Sequence, residues 1–363
     1  MKKAKLPLPQ LHIDLRSIYE KMLNPVIASV MGLLLANLVL ILTGYNPAIA
    51  MRALIIGSFG SQFAIASTLS RAVPIMFTGL AFAVAARAKL FNIGTEGQFY
   101  LGAITAVILG YYIKVFSILH IFLIMIVAFI VGALWALPAA VLKVYRGVNE
   151  VISTIMLNWI AYYLLMYLVL DVFYDPAYPY KSVRINSSAE FPLLIPKTDL
   201  TYAIFVSILV AIIIYVYMWL TVEGYELRAV GLNETAAKYA GINVKLVTLK
   251  AMLISGGLAG LGGAVHVMSL TKFINATLTN VINFGFDGIT VSLLGRNHPI
   301  GIIFSAIFLG ALRAANPVMQ IQAGVPKEIV IIMQGIIILF IAIPSLIDLV
   351  MKKKIVLEEI EEG

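Results

Sequence analysis

The sequence predicts an all-α polytopic membrane protein with about ten transmembrane helices, an inverted internal repeat, and helices broken near the midplane. Three observations carry that prediction. Of 363 residues, 61% are hydrophobic and 12% charged, more apolar material than a soluble domain of this length can bury. Apolar runs of about 20 residues, the length that crosses a bilayer, recur along the chain. The pattern Asn-x-Gly-x-acid-Gly occurs twice, as Asn92-Ile93-Gly94-Thr95-Glu96-Gly97 and Asn283-Phe284-Gly285-Phe286-Asp287-Gly288. In lipid, backbone that leaves the helix is tolerated only where protein or a water-filled cavity surrounds it. Glycine-broken segments at matching places in two halves point to a translocation path. The alternative is that these glycines only permit close packing and the acids sit at a membrane surface.

Residues 1–23 read as a cytoplasmic N-terminal segment. Within it Leu11, Leu15, Ile18, Tyr19 and Met22 recur at helical spacing opposite Asp14, Arg16 and Lys21, the pattern of an interfacial amphipathic helix. Lys2, Lys3 and Lys5 before an apolar run imitate a signal peptide, but the run from Val26 to Thr43 is longer than a signal core and suits a retained span. The transmembrane domain covers 24–349, with spans expected at 24–43, 73–89, 98–116, 120–142, 151–172, 202–221, 248–270, 284–295, 299–316 and 328–349. The eighth is short and takes in broken backbone from the second motif.

Positive charge sets the orientation. With the N-terminus inside, 17 of the 26 Lys and Arg fall in cytoplasmic segments, and Lys352-Lys353-Lys354 in the tail 350–363 also lies inside, so both termini are expected in the cytoplasm. The first motif then follows a helix running inward and the second one running outward, which makes the repeat inverted. Residues 173–201, rich in Pro, Asn and Ser, read as an irregular extracytoplasmic loop.

The inner loop 222–247 is more informative. Asn233 is placed to cap a short helix, Glu234-Thr235-Ala236-Ala237-Lys238-Tyr239-Ala240 is helix-forming, and Gly241 stops it. Ala236, Ala237, Ala240 and Ile242 offer a small flat face for a partner groove. Beyond it, Gly256-x-x-x-Gly260 within a small-residue stretch predicts a very close helix contact.

Six residues are candidates for the path: Asn92, Glu96, Asn158, Trp159, Asn283 and Asp287. Glu96 and Asp287 are costly at the bilayer centre unless they face the interior, lie near an interface or are neutral. As first-turn residues of restarted helices they also meet positive dipole ends, a structural role that needs no solute. Asn92 and Asn283 suit a polar solute or a helix cap. Asn158 beside Trp159 suits a planar solute or an interhelical hydrogen bond. Gly295-Arg296-Asn297-His298-Pro299 reads as a cytoplasmic turn that contacts a partner.

Several classes find no support. The net charge of +8 is scattered over span ends, which argues for topology rather than nucleic acid. There is no cysteine, and His12, His120, His266 and His298 lack metal-ligand spacing. No Gly-x-x-x-x-Gly-Lys-Ser/Thr loop occurs and no hydrolytic triad is legible, so an energised pump must borrow its motor.

Ala88-Lys89-Leu90-Phe91-Asn92-Ile93-Gly94-Thr95-Glu96-Gly97-Gln98, Asn149-Glu150-Val151-Ile152-Ser153-Thr154-Ile155-Met156-Leu157-Asn158, the 234–241 helix, Gly285-Phe286-Asp287-Gly288-Ile289 and Leu294-Gly295-Arg296-Asn297-His298-Pro299 resemble the inner-membrane permease subunits of ABC importers for nucleosides and simple sugars. That group also serves ribose and branched-chain amino acids. The resemblance implies a non-enzymatic permease forming the path for nucleosides. It also implies a related second permease, a cytoplasmic ATPase that holds ATP and magnesium, and an extracytoplasmic binding lipoprotein. It makes the 234–241 helix the coupling helix, although this chain has Glu-Thr-Ala-Ala where the strongest form of that loop has Glu-Ala-Ala. The rivals are a sugar or amino-acid importer permease and an ion-coupled secondary transporter that uses Glu96 or Asp287 as a proton carrier.

Overall fold

The structure is a computed structural model that describes residues 31–339 apart from 33, 276, 279, 280, 282, 334, 337 and 338. The amphipathic segment and the tail expected at 1–23 and 350–363 lie outside the described residues. Residues 48–325 form one compact unit. The second unit holds α1, helical at 31–32 and 34–42 and ending in a turn where Tyr45 N donates to Leu40 O, and α13, helical at 327–333.

The larger unit is mostly helical. Its elements are α2 (Pro47–Phe59), α3 (Gln62–Arg87), α4 (Thr95–Tyr112), α5 (Ser117–Arg146), α6 (Glu150–Tyr167), α7 (Ala203–Leu220), α8 (Val222–Leu232), α9 (Glu234–Tyr239), α10 (Val244–His266), α11 (Phe284–Leu294) and α12 (Pro299–Ala323). One π turn each prolongs α6 to Val172 and α10 to Thr271. Among the described residues, α3, α5, α6, α7, α10 and α12, with those π turns included, are long and apolar enough to cross a membrane, while α2 and α11 are shorter apolar helices.

Two expectations need correction. The span predicted at 73–89 begins at Gln62, because Ser67, Thr68 and Ser70, which dilute its apolar character, are buried inside the protein. Thr68 Oγ1 donates to Ser58 O and Ser58 Oγ to Ala311 O, so these hydroxyls never meet lipid. Helix α2 was not legible. It ends one residue before the Gly60-Ser61 turn, where the Ser61 hydroxyl caps α3 by accepting from Ala64 N at 3.1 Å.

The core runs along α3 and α10, which are buried for most of their length, whereas α5 and α6 keep long apolar faces exposed. Close approach comes from missing side chains. A Cβ on Gly132 of α5 would strike Gly260 Cα at 2.9 Å, and one on Gly102 of α4 would overlap the Gly260 carbonyl. The close contact expected of Gly256 and Gly260 is thus present, with α5 on one side and α4 on the other.

The loop 173–201 is pinned rather than loose. Strands β1 (Tyr174–Asp175) and β2 (Tyr178–Ser182) pair antiparallel, Ser182 exchanges hydrogen bonds with Ile274, and Asn186 Nδ2 donates to Tyr111 O at 2.7 Å.

Candidate functional site: where the two broken helices meet

The first motif is a short break between α3 and α4. Lys89 turns the chain with a left-handed backbone (φ 61°), and Asn92, wholly buried, then holds the loop. Its Oδ1 accepts from Gly94 N at 2.9 Å, while its Nδ2 donates to Ser255 Oγ on α10 at 2.8 Å and to Gln98 Oε1 at 3.1 Å. Asn158 of α6 serves the same loop from the other side. Its Oδ1 accepts from Gly97 N at 2.8 Å, one of the donors a helix start leaves unpaired, and its Nδ2 donates to Ile93 O at 2.9 Å. Asn149 caps α6 itself through Val151 N.

The second motif is held by the first. Asn283 enters α11 in the left-handed region (φ 71°), a conformation Asn tolerates better than most residues, and makes no side-chain cap. The cap comes instead from Glu96. Its carboxylate, 2% exposed, accepts from Asn283 N at 2.5 Å and Gly285 N at 2.6 Å, and from the Tyr100 hydroxyl one turn along α4 at 2.7 Å. A charged acceptor at a helix start satisfies unpaired N–H groups and meets the positive end of the helix dipole. Thr78 Oγ1 of α3 donates to Phe284 O at 2.8 Å, and Thr95 Oγ1 to Gly285 O at 3.3 Å. The two copies of the pattern, 191 residues apart in sequence, are thus one cluster in space.

Asp287 looks elsewhere. It forms an ion pair with Arg313 of α12, whose guanidinium lies over the Phe284 ring, 4.4 Å from its centroid. Phe284 in turn stacks on Phe99 at 5.2 Å. Both partners of the ion pair keep about a fifth of their side-chain surface open, 23% and 20%. Arg71 of α3 stands within electrostatic reach of Arg313 and donates to Ser67 Oγ.

Glu96, Asn92, Asn158, Asn283 and Asp287 therefore converge, by direct contact or through the 92–97 and 283–288 segments. Trp159 does not join them: neighbouring residues on a helix point about 100° apart, and Trp159 is 57% exposed on the far side of α6, stacked on Tyr163. The sequence reading missed Thr78, Tyr100, Ser255 and Arg313. Arg313 had a signal of its own, a lone cation inside an apolar helix.

The short helix α9 begins at Glu234 as predicted and ends at Tyr239, one residue before the expected Ala240. Asn233 Oδ1 accepts from Ala236 N at 3.0 Å, and Gly241 ends the helix in the left-handed region (φ 85°). Its face differs from expectation: Ala237 is buried against its own chain, because so short a helix lies flat on α8 and α10, while Tyr239 is 90% exposed. The turn 295–299 is also engaged within the chain. Arg87 donates to Asn297 O at 3.0 Å and Arg296 O at 3.1 Å, and His298 packs on Trp219, with ring centroids 4.5 Å apart. Burial, aided by the Arg87 charge, holds the His298 imidazole below its ordinary range.

A family model described as "Branched-chain amino acid transport system / permease component" matches residues 64–342. The chain is 37% identical to guanosine ABC transporter permease protein NupP of Bacillus subtilis, covering 92% of this chain and 96% of that one. It is 33% identical to nucleoside ABC transporter permease protein NupB of Lactococcus lactis subsp. cremoris, covering 92% and 94%. The same Lactococcus strain has a further relative, nucleoside ABC transporter permease protein NupC, 29% identical over 69% of this chain and 80% of that one. No solved structure matches the chain significantly. The chain is a multi-pass membrane protein, and it belongs to the branched-chain amino acid transport system permease component family.

Proposed function

We propose that the chain is the permease subunit of an ATP-driven ABC importer in the cell membrane and forms the translocation path for nucleosides. The observation that carries this reading is end-to-end similarity, over nine-tenths of the chain, to two permeases named for guanosine and nucleosides. In this reading the chain crosses the membrane about ten times with both termini in the cytoplasm, and its halves are an inverted repeat that meets at Glu96 and the start of α11. The meeting of two broken helices supports the repeat, since such sites sit at the interface of the halves.

The path residues divide by how their hydrogen bonds are used. Asn92, Glu96 and Asn158 spend their polar atoms on backbone and side chains of the break, so their part is to hold its shape. Asn283 is exposed, Asp287 and the Arg313 it orients keep about a fifth of their side-chain surface open, and these are the groups we assign to solute contact. Trp159 stands apart from this group on the far side of α6, beside Tyr163, and its exposed surface suits stacking on a planar base there.

The partners are a second, related permease, a cytoplasmic ATPase that holds ATP and magnesium, and an extracytoplasmic binding lipoprotein. Support for the second permease is the pair of distinct relatives in one Lactococcus strain, NupB and NupC. Helix α9 is the coupling helix, docking through the exposed Tyr239 and Ala236 and through Ala240 just past its end, rather than Ala237.

The test is uptake of radiolabelled guanosine into vesicles holding this chain with its candidate ATPase and second permease. The expected result is uptake that requires internal ATP and all subunits and that excess ribose leaves unchanged. Competition by ribose would move the substrate to simple sugars. Uptake by this chain alone, driven by a proton gradient, would replace the importer reading with an ion-coupled transporter.

A further inference from the structure

A cavity of about 650 Å³ opens among the ends of α3, α5, α8, α9 and α10. That is within the range of roughly 300–1,000 Å³ typical of small-molecule sites. Four lysines from four different places in the chain line it: Lys89 after α3, Lys143 in the last turn of α5, Lys238 on α9 and Lys245 in the first turn of α10. The lining includes one carboxylate, Glu234. Lys143 is partly neutralised by Glu150 at 2.8 Å, and Lys245 lies 5.8 Å from the Tyr145 ring. Lys89 and Lys238 have no ion partner among the described residues. The cavity wall also includes Asn243, Val244 and Lys245, the start of a 23-residue helix whose dipole adds positive potential.

The rule that puts lysines at the inner ends of spans explains each residue singly, but it distributes them around helix ends and does not make them converge on one hollow. Convergent cations with too few carboxylates call for an anion. We propose that this cavity binds the phosphate of an anionic ligand, and that the ligand is the headgroup of an anionic phospholipid. Three of the walls, α3, α5 and α10, are ends of helices long and apolar enough to cross a membrane, so the mouth lies at headgroup depth, where basic pockets between helices take such lipids. Tyr145, 67% exposed beside the mouth, is the interfacial aromatic expected there. Glu234 supplies an acceptor for headgroup hydroxyls, which favours a glycerol headgroup over a choline. Because Glu234 and Lys238 belong to α9, an occupied site ties α9 to α5 and α10. This inference stands apart from the substrate assigned above.

The experiment uses the full-length chain, purified and delipidated in detergent, titrated with phosphatidylglycerol or phosphatidylcholine and read by native mass spectrometry. Phosphatidylglycerol is expected to bind more tightly, and the triple variant Lys89→Gln/Lys238→Gln/Lys245→Gln to lose roughly fivefold in affinity per lysine removed. All three positions are exposed, so the variant should keep the wild-type melting temperature. The double variant Lys114→Gln/Lys197→Gln, at exposed lysines outside the cavity, should bind as wild type. A third arm adds inorganic phosphate. Failure to displace the lipid makes the membrane the source, whereas displacement makes the phosphate group alone sufficient and a soluble phosphate the source. Equal binding of the two lipids, an unchanged triple variant, or an equal loss in the distant double variant would overturn the site.

Discussion

The two copies of Asn-x-Gly-x-acid-Gly have the same letters and opposite situations. In the first, the amide is wholly buried and the acid nearly so, and both are saturated with hydrogen bonds. In the second, the amide is exposed in a left-handed turn and the acid is paired with a partly open arginine. The glycines differ too. A side chain on Gly94 would meet the ends of Asn92 and Gln98, each at 2.9 Å, whereas one on Gly285 would strike the backbone of Glu96. The first copy is therefore the support and the second the supported element, whose polar groups remain available. Both copies open a helix, at Thr95 in the first and at Phe284 in the second, and the division of labour came from the neighbours each copy met.

The largest expected effect comes from removing the link. Glu96→Ala leaves Asn283 N–H, Gly285 N–H and the Tyr100 hydroxyl without their acceptor in a closed site, at about 4 kcal/mol, since each orphaned buried donor costs about 1–3 kcal/mol and the neighbours relax in part. Asp287→Ala should cost about half as much, because Arg313 has open surface from which another group can replace the lost partner. Thermal unfolding of the two purified variants in the same detergent checks the order, and a larger loss at Asp287 would reverse the assignment of support and supported.

Next comes the glycine pair. Gly285→Ala forces two backbones apart and should cost about 3 kcal/mol, whereas Gly94→Ala asks two side chains to swing and should cost about 1 kcal/mol. Equal shifts in melting temperature would show that the contact between copies yields more easily than its geometry implies. Smaller again is the contrast between neighbours on α6. Asn158→Ala strips partners from Gly97 N–H and Ile93 C=O for about 2 kcal/mol, while Trp159→Ala should stay within about 0.5 kcal/mol. Guanosine uptake by the Trp159 variant then reads its role at the path with the fold intact.

What was legible in the sequence was local. Asn233 and Gly241 bound α9 because a cap and a left-handed stop act within a few residues, and the stripe from Gly256 to Gly260 announces close packing whatever the partner. What was not legible was choice of partner. A carboxylate in an apolar stretch must find donors, but nothing near Glu96 says that they are main-chain N–H groups of Asn283 and Gly285. The start of α3 was hidden for a related reason: its hydroxyls look like a reason to leave the membrane, and only the burial of Ser67, Thr68 and Ser70, with the bond from Thr68 to Ser58 O, shows them enclosed by protein. Ala237 was assigned to the wrong face because a helix of six residues has no periodicity to read.

The smallest effect is the most useful for the second copy. Asn283 occupies the left-handed region, where a β-carbon costs about 1 kcal/mol and glycine none, and its side chain makes no cap. Asn283→Ala should therefore destabilise by about 0.5–1 kcal/mol through its backbone alone, while Asn283→Gly stays within about 0.5 kcal/mol of wild type. The glycine variant separates shape from chemistry, since it keeps the turn and the N–H that Glu96 holds while deleting the amide. Guanosine uptake reduced several-fold in Asn283→Gly at unchanged melting temperature would make the amide a solute contact. Unchanged uptake would reduce Asn283 to a turn residue and leave solute contact in this copy to Asp287 and Arg313.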